Sequence, residues 1–259
     1  MYTTTSADGT RIAYEQAGSG APVVFVTGAF NDRRTCAPLA KLLEDRFTVV
    51  TYDRRGKGDS GDTAPYAVER EIEDLAAVIA AVDGGPANVF GFSSGAVLAL
   101  KAAVARAAIR RLALYEAPYR VGADVATADM PDRLAGLVAA GRRGDAVELF
   151  QSEVVGLPAE LVAGLRNAPF RPALEAMAPT LAYETTITGP AAPTAAELAA
   201  VAVPAVVLNG AEAWGPMEEW AIALAEALPQ GRHVRLSGGE NHDIDPEATA
   251  PVIAEHFAT

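Results

Sequence analysis

The strongest constraint on this chain is alternation. Short apolar runs rich in Val and Leu ("FTVVTYD", "ANVFGF", "IRRLALYE", "VPAVVLNG", "HVRLSGG") are separated by stretches with helical spacing. "APLAKLLEDR", "GAVLALKAAVA" and "EATAPVIAEHFA" read as helices. In "VEREIEDLAAVIAAVD", Ile72, Leu75, Ala76, Ile79 and Val82 fall on one helical face. In "MEEWAIALAEAL" the inner face carries Met217, Trp220, Ala221, Leu224 and Leu228. Strands that are apolar at every position fit a parallel sheet buried on both faces. Strand–helix alternation then implies a doubly wound α/β fold with right-handed crossovers. Near the start, "RIAYEQAG" follows the turn signal Asp8-Gly9 and precedes "PVVFVTG", which reads as a hairpin leading inward.

The alternation is interrupted once. Residues 119–199 are helical in pattern ("MPDRLAGLVAAGRRGDAVELFQSEVV", "PAELVAGLRNA"), broken by prolines and without strand signals. They are expected to form a helical cap inserted between two strands, leaving 1–118 and 200–259 as the core domain. "TGPAAPTAAE" reads as the loop that leads back to the sheet.

Charge and composition narrow the partners. The formal net charge of −12 repels phosphate backbones and argues against nucleic acid. One cysteine, Cys36, permits no internal disulfide and suits a reducing compartment. It reads as a buried or half-buried thiol with no adjacent histidine to activate it. The N-terminus lacks a basic start and an apolar stretch, and no segment approaches the roughly 18 apolar residues that cross a bilayer. A soluble cytoplasmic protein is expected, with a small-molecule substrate as partner, no nucleic acid and no membrane. A homodimer is left open.

The chemistry is concentrated in "VFGFSSGAVL". A strand runs into Gly91-Phe92-Ser93-Ser94-Gly95 and at once into an alanine-rich helix. A turn this tight strains its central residue and needs small neighbours. It raises the Ser93 hydroxyl at the carboxyl edge of the sheet, where ligands gather in such folds. The backbone N–H of Ser94, at the helix start, could point at a developing oxyanion.

Several segments together resemble the α/β-hydrolase fold superfamily, over residues 1–118 and 200–258. "DGTRIAYEQAGSG" is similar to the family's opening hairpin, and "VVFVTGAFND" sits where its oxyanion loop lies. "YDRRGKGDS" resembles the loop after its fourth strand, "GFSSG" its nucleophile elbow, and "GGENHDIDPE" the segment with its catalytic histidine. The resemblance is specific for the fold and less so for the reaction.

Three histidines compete for the role of base. His233 lies at the start of a strand and reads as structural; His256 is on the last helix. His242 follows a strand and the flexible "SGG", in a loop that can bring an imidazole to the serine. The acid must be a carboxylate at a strand end near His242. The resemblance implies an aspartate after "VPAVVLNG", but "AEAWGP" follows, with Ala213 at the expected place and Glu212 one residue earlier. Some relatives of this fold place the acid after the strand that here ends at Glu116, before Pro118. Glu116 is preferred and Glu212 is the alternative. Asp243 and Asp245 are too close to His242 in sequence to orient it easily.

The resemblance also implies His-Gly in the oxyanion loop, where this chain has Thr27-Gly28. Gly28 still permits close backbone approach, and the N–H of Ala29 is the expected second oxyanion donor. Phe30 and Trp214 are expected at the pocket, whereas Trp220 matches the core face of its helix. In "YDRRGKGDS", Asp53, Arg55 and Gly56 are read as shaping the loop, with Arg54 and Lys57 solvated. No phosphate-loop pattern is present. "ENHD" has no second ligand cluster, so neither a metal nor a cofactor is expected.

These residues imply a serine hydrolase for a small or medium carboxylic ester or lactone, working through an acyl-enzyme. The rivals are another reaction on the same residues (C–C or amide hydrolysis, perhydrolysis, a biosynthetic lyase step) and a non-catalytic binding protein that kept the fold.

Overall fold

Strand β5 (Ala87–Phe92) is buried at all six positions and sits inside the sheet. In the computed structural model, which describes residues 1–82, 85–121 and 128–258, it is flanked by β3 (Ala21–Val26) and β6 (Ile109–Tyr115). Among the described residues eight strands take the order β1-β2-β4-β3-β5-β6-β7-β8, with β1 (Tyr2–Thr5), β2 (Arg11–Gly18), β4 (Phe47–Tyr52), β7 (Ala205–Asn209) and β8 (Gly231–Arg235). All pairings from β4 to β8 are parallel; β1–β2 and β2–β4 are antiparallel.

The expected hairpin between "RIAYEQAG" and "PVVFVTG" does not form. The turn at Asp8-Gly9 instead joins β2 to β1, with Gly9 at φ +87°. β3 is buried from Val23 to Val26 and therefore takes an interior place between β4 and β5, leaving β2 to pair with β4.

Helices cover both faces. Helices α2 (Val68–Ala81), α3 (Ser94–Val104) and α10 (Met217–Ala227) pack with Val24, Val26, Val89 and Leu112 on one side. On the other, α1 (Ala37–Lys41) and α11 (Pro246–Ala258) pack with Phe25, Phe90 and Val206. Cys36 is buried at the start of α1, and burial pushes its thiol up to about 12, which makes it unreactive.

The face of α2 keeps Leu75, Ile79 and Val82 buried as expected, but it is displaced at one side. Ala76 is exposed, while Glu71 and Asp74 are buried beside Val68, Leu75, Val78 and Ile79. The helix is rotated toward its carboxylates because they pair with buried arginines, described below.

Between β6 and β7 lie α4 (Met130–Ala139), α5 (Arg143–Leu149), α6 (Ala159–Leu165), α7 (Arg171–Met177), α8 (Leu181–Thr188) and α9 (Ala195–Leu198). A π-helical turn, Phe150–Val154, continues α5. This insertion has its own apolar cluster, including Met130, Leu134, Val147, Phe150 and Leu181, against which Ala29 and Phe30 of the sheet edge pack. Positions 122–127 of the expected 119–199 insertion lie outside the described residues. No helix among the described residues is long and apolar enough to cross a membrane.

Candidate active site

Three strand ends deliver three side chains to one point. Ser93 follows β5, Glu116 follows β6, and His242 sits in the loop after β8. The parallel register fixes the first two: the Ser93 N–H donates to the Tyr115 carbonyl (3.0 Å), and the Glu116 N–H to the Leu208 carbonyl (2.8 Å). His242 Nε2 lies 2.9 Å from Ser93 Oγ, and Nδ1 lies 2.6 Å from Glu116 Oε2. The other Glu116 oxygen accepts the Gly210 N–H at 2.9 Å, so the carboxylate, only 1% exposed, has both oxygens engaged. The imidazole also packs against the Phe92 ring, with centroids 5.0 Å apart.

Glu212 is not part of this relay. Its side chain is exposed, and its contribution is backbone: its N–H donates to Gly239 and its carbonyl accepts from Asn241. It pins the histidine loop rather than the imidazole. Tyr115 helps, donating its hydroxyl to the Asp243 carbonyl at 2.8 Å. His233 is held by Asn209 at 2.6 Å, away from the serine.

Backbone strain marks the same place. Six non-glycine residues among those described have positive φ, and five of them are Phe30, Ser93, Glu116, Asn241 and His242. Each adopts a conformation that L-residues avoid, which persists only where the surroundings enforce it. For Ser93 (φ 56°, ψ −132°) the enforcement is steric. A Cβ on Gly95 would stand 2.2 Å from the Val26 carbonyl oxygen, and one on Gly91 2.5 Å from Ala96 Cα. Only glycines let the turn fit.

The loop after β3 lies against this turn. A Cβ on Gly28 would come within 2.7 Å of Ser93 Cβ and 3.1 Å of its Oγ. Ala29, Phe30, Ser93, Ser94, Trp214 and His242 all line one cavity of about 540 Å³. Phe150, Val154 and Leu157 of the insertion form much of the opposite wall, and Phe30 meets Phe150 edge to face at 5.4 Å. Trp220, expected in the core, is half-buried and also lines the cavity, beside Met217 and Trp214.

A family model described as the alpha/beta hydrolase family matches residues 23–252. The chain belongs to the alpha/beta hydrolase family. An alpha/beta hydrolase from Sphaerobacter thermophilus is 48% identical over 100% of both chains, with a TM-score of 0.90. The enol-lactonase of Burkholderia xenovorans is 24% identical, with 99% of this chain and 100% of that one covered and a TM-score of 0.71; that likeness speaks for the fold alone. The uncharacterized hydrolase YraK of Bacillus subtilis is 38% identical over 100 residues. That stretch is 38% of this chain and spans only 37% of YraK.

Beneath the site lies a buried charged layer. Arg54 and Lys57, expected in solvent, are 1% and 2% exposed. Arg54 forks onto Glu71 of α2 (2.7 and 2.8 Å) and reaches Glu184 of α8 (2.8 Å). Lys57 donates to the same Glu184 at 2.5 Å. Arg55 is buried too, forked onto Asp74 at 2.7 and 2.8 Å. Asp53 does shape the loop, accepting the N–H groups of Arg33 and Asp59. Gly56 does so with φ +73°.

Burial alone would raise the Glu184 carboxyl. The charges of Arg54 and Lys57, with hydrogen bonds from Lys57 and Ser94, outweigh it and hold the group at about 2. Burial lowers Lys57 below the usual lysine value, opposed in part by Glu184. Glu184 carried no signal in the sequence, because its partners are 90 to 130 residues away. Among the described residues no group of three or more His, Cys, Asp or Glu is arranged to hold a metal.

Proposed function

We propose that this alpha/beta hydrolase is a serine hydrolase that cleaves small or medium carboxylic esters or lactones through an acyl-enzyme. The observation that carries the reading is the continuous relay from Ser93 Oγ through His242 to Glu116, at 2.9 and 2.6 Å. Ser93 attacks the carbonyl carbon as His242 Nε2 takes its proton. Glu116 holds the imidazole in the tautomer with its proton on Nδ1 and stabilises the imidazolium that forms. The N–H groups of Ala29 and Ser94 receive the charge that develops on the carbonyl oxygen. His242 returns the proton to the leaving alkoxide, and a water molecule attacks the acyl-enzyme by the same route reversed.

The cavity supports an uncharged, largely apolar substrate. Phe30, Phe150, Val154, Trp214 and Trp220 supply the walls, and the ionisable groups that line it besides His242 are carboxylates: Glu153, Glu184 and Asp243. Its volume is in the range usual for small-molecule sites. The described helices between β6 and β7 act as the cap over the site, through Phe150, Val154 and Leu157.

A panel of p-nitrophenyl esters and lactones tests the reaction. Hydrolysis of at least one short or medium ester is expected, abolished in Ser93→Ala. Glu116→Gln should lower kcat by at least about 10²-fold while Glu212→Gln changes it little; the triad acid is worth this much or more. A large loss in Glu212→Gln alone would transfer the acid role. A wild type inactive on the whole panel would reject the ester and lactone reading.

A further inference from the structure

The buried layer under the site has a geometry that charge balance alone does not require. Both carbonyls of Thr27-Gly28 are held by its cations. Arg54 Nη1 donates to the Thr27 carbonyl at 3.1 Å, and Lys57 Nζ to the Gly28 carbonyl at 2.7 Å. The Gly28–Ala29 peptide is trans, as the one cis bond among the described residues is Ala64–Pro65. In a trans peptide the C=O and N–H point opposite ways. A Gly28 carbonyl turned toward buried Lys57 therefore turns the Ala29 N–H away from it, to the cavity side where Ala29 stands with Ser93.

The other side of the oxyanion hole is tied to the same anion. Ser94, whose N–H is the second donor, hydrogen-bonds through Oγ to Glu184 Oε2 at 2.5 Å. Glu184 thus touches Lys57 and Arg54, which fix one half of the hole, and Ser94, which belongs to the other. It comes from α8 of the insertion and is 1% exposed.

We infer that Glu184 and Lys57 are positioning residues that set the oxyanion hole: Glu184 seats Lys57 on the Gly28 carbonyl and Ser94 in its turn, and so aims both N–H donors. This rests on the serine-hydrolase reading. It adds that the insertion, beyond covering the substrate, contributes to the transition-state geometry through one buried carboxylate.

Four buried charges balance here, with Arg54 and Lys57 against Glu71 and Glu184. Removing one of them can unfold the protein without testing the inference. The informative variant is the double change Lys57→Met with Glu184→Gln, which removes one cation and one anion and leaves Arg54 with Glu71. If the layer serves only charge balance, the double variant regains near wild-type kcat. If it aims the hole, the Gly28 carbonyl loses its donor and kcat stays about 10- to 100-fold down with KM within about threefold. That is part of the 10²–10³ that one oxyanion donor can be worth.

Ser94→Ala, a small change that keeps the backbone N–H, should fold in any case. It should lower kcat several-fold in the same KM-independent way. Affinity for a boronic acid that forms a tetrahedral adduct on Ser93 should fall in parallel with kcat in both variants. Recovery of kcat in the double variant, or a Ser94→Ala enzyme with unchanged kcat and boronate affinity, would overturn the inference while leaving the hydrolase reading intact. A wild type with no Ser93-dependent ester hydrolysis would remove both.

Discussion

At the residue scale, the site depends on atoms that are missing as much as on those present. Gly28 faces Ser93 so closely that a methyl group would stand 3.1 Å from its Oγ. Gly28→Ala should therefore push this loop and the serine apart and, if the proposed oxyanion role holds, cost about 10²-fold or more in kcat/KM. Circular dichroism should show an unchanged fold; an enzyme of wild-type activity would mean that the loop does not stand at the reacting carbonyl. Ser93, His242 and Glu116 could be found in the sequence because each follows a strand and meets a local rule: small neighbours, a glycine-rich loop, a proline stop. Arg54, Lys57 and Glu184 could not. A charged residue is normally solvated, and what buries these is a partner distant in sequence that only the fold brings near.

At the element scale, α2 illustrates the same limit. Its helical period and most of its inner face (Leu75, Ile79 and Val82) are legible in the sequence, but the burial of Glu71 and Asp74 is not, because they look like surface residues until Arg54 and Arg55 stand against them. Arg55 has 0% of its side chain exposed and divides its charge between Asp74 and the more accessible Asp8. Asp74→Asn should strand part of that charge and destabilise the protein by about 3 kcal/mol, read from urea unfolding at neutral pH. A change under about 0.5 kcal/mol would mean that Asp8 and water suffice. The edge of the sheet was also partly hidden. β1 is four residues long and mostly exposed, so it gives no apolar run to read, yet it captures the turn at Asp8-Gly9.

At the scale of the whole molecule, α8 is fastened to the loop after β4 by buried charge, and this has a pH signature. Glu184 is held at about 2 in the folded protein, against 4.5 when unperturbed. Its ionised form is the one the fold favours. The stabilisation is therefore complete above pH ~4.5 and is lost as pH falls toward ~2, to a total of about 3 kcal/mol. Asp8, also held at about 2, titrates over the same interval. Comparing unfolding free energies between pH 5 and pH 2.5 in wild type and the charge-balanced double variant Lys57→Met with Glu184→Gln isolates the Glu184 share: the variant should show a shallower acid loss. Parallel curves would contradict an ionised, paired Glu184.

The central claim is that His242 and Glu116 activate Ser93 beneath the insertion. It is tested most directly by treating the native protein with a fluorophosphonate and locating the adduct by peptide mass spectrometry. The account predicts one adduct per chain, on Ser93, formed far more slowly in His242→Ala and Glu116→Gln. A folded protein that stays unlabelled, or one labelled at another residue, would contradict it.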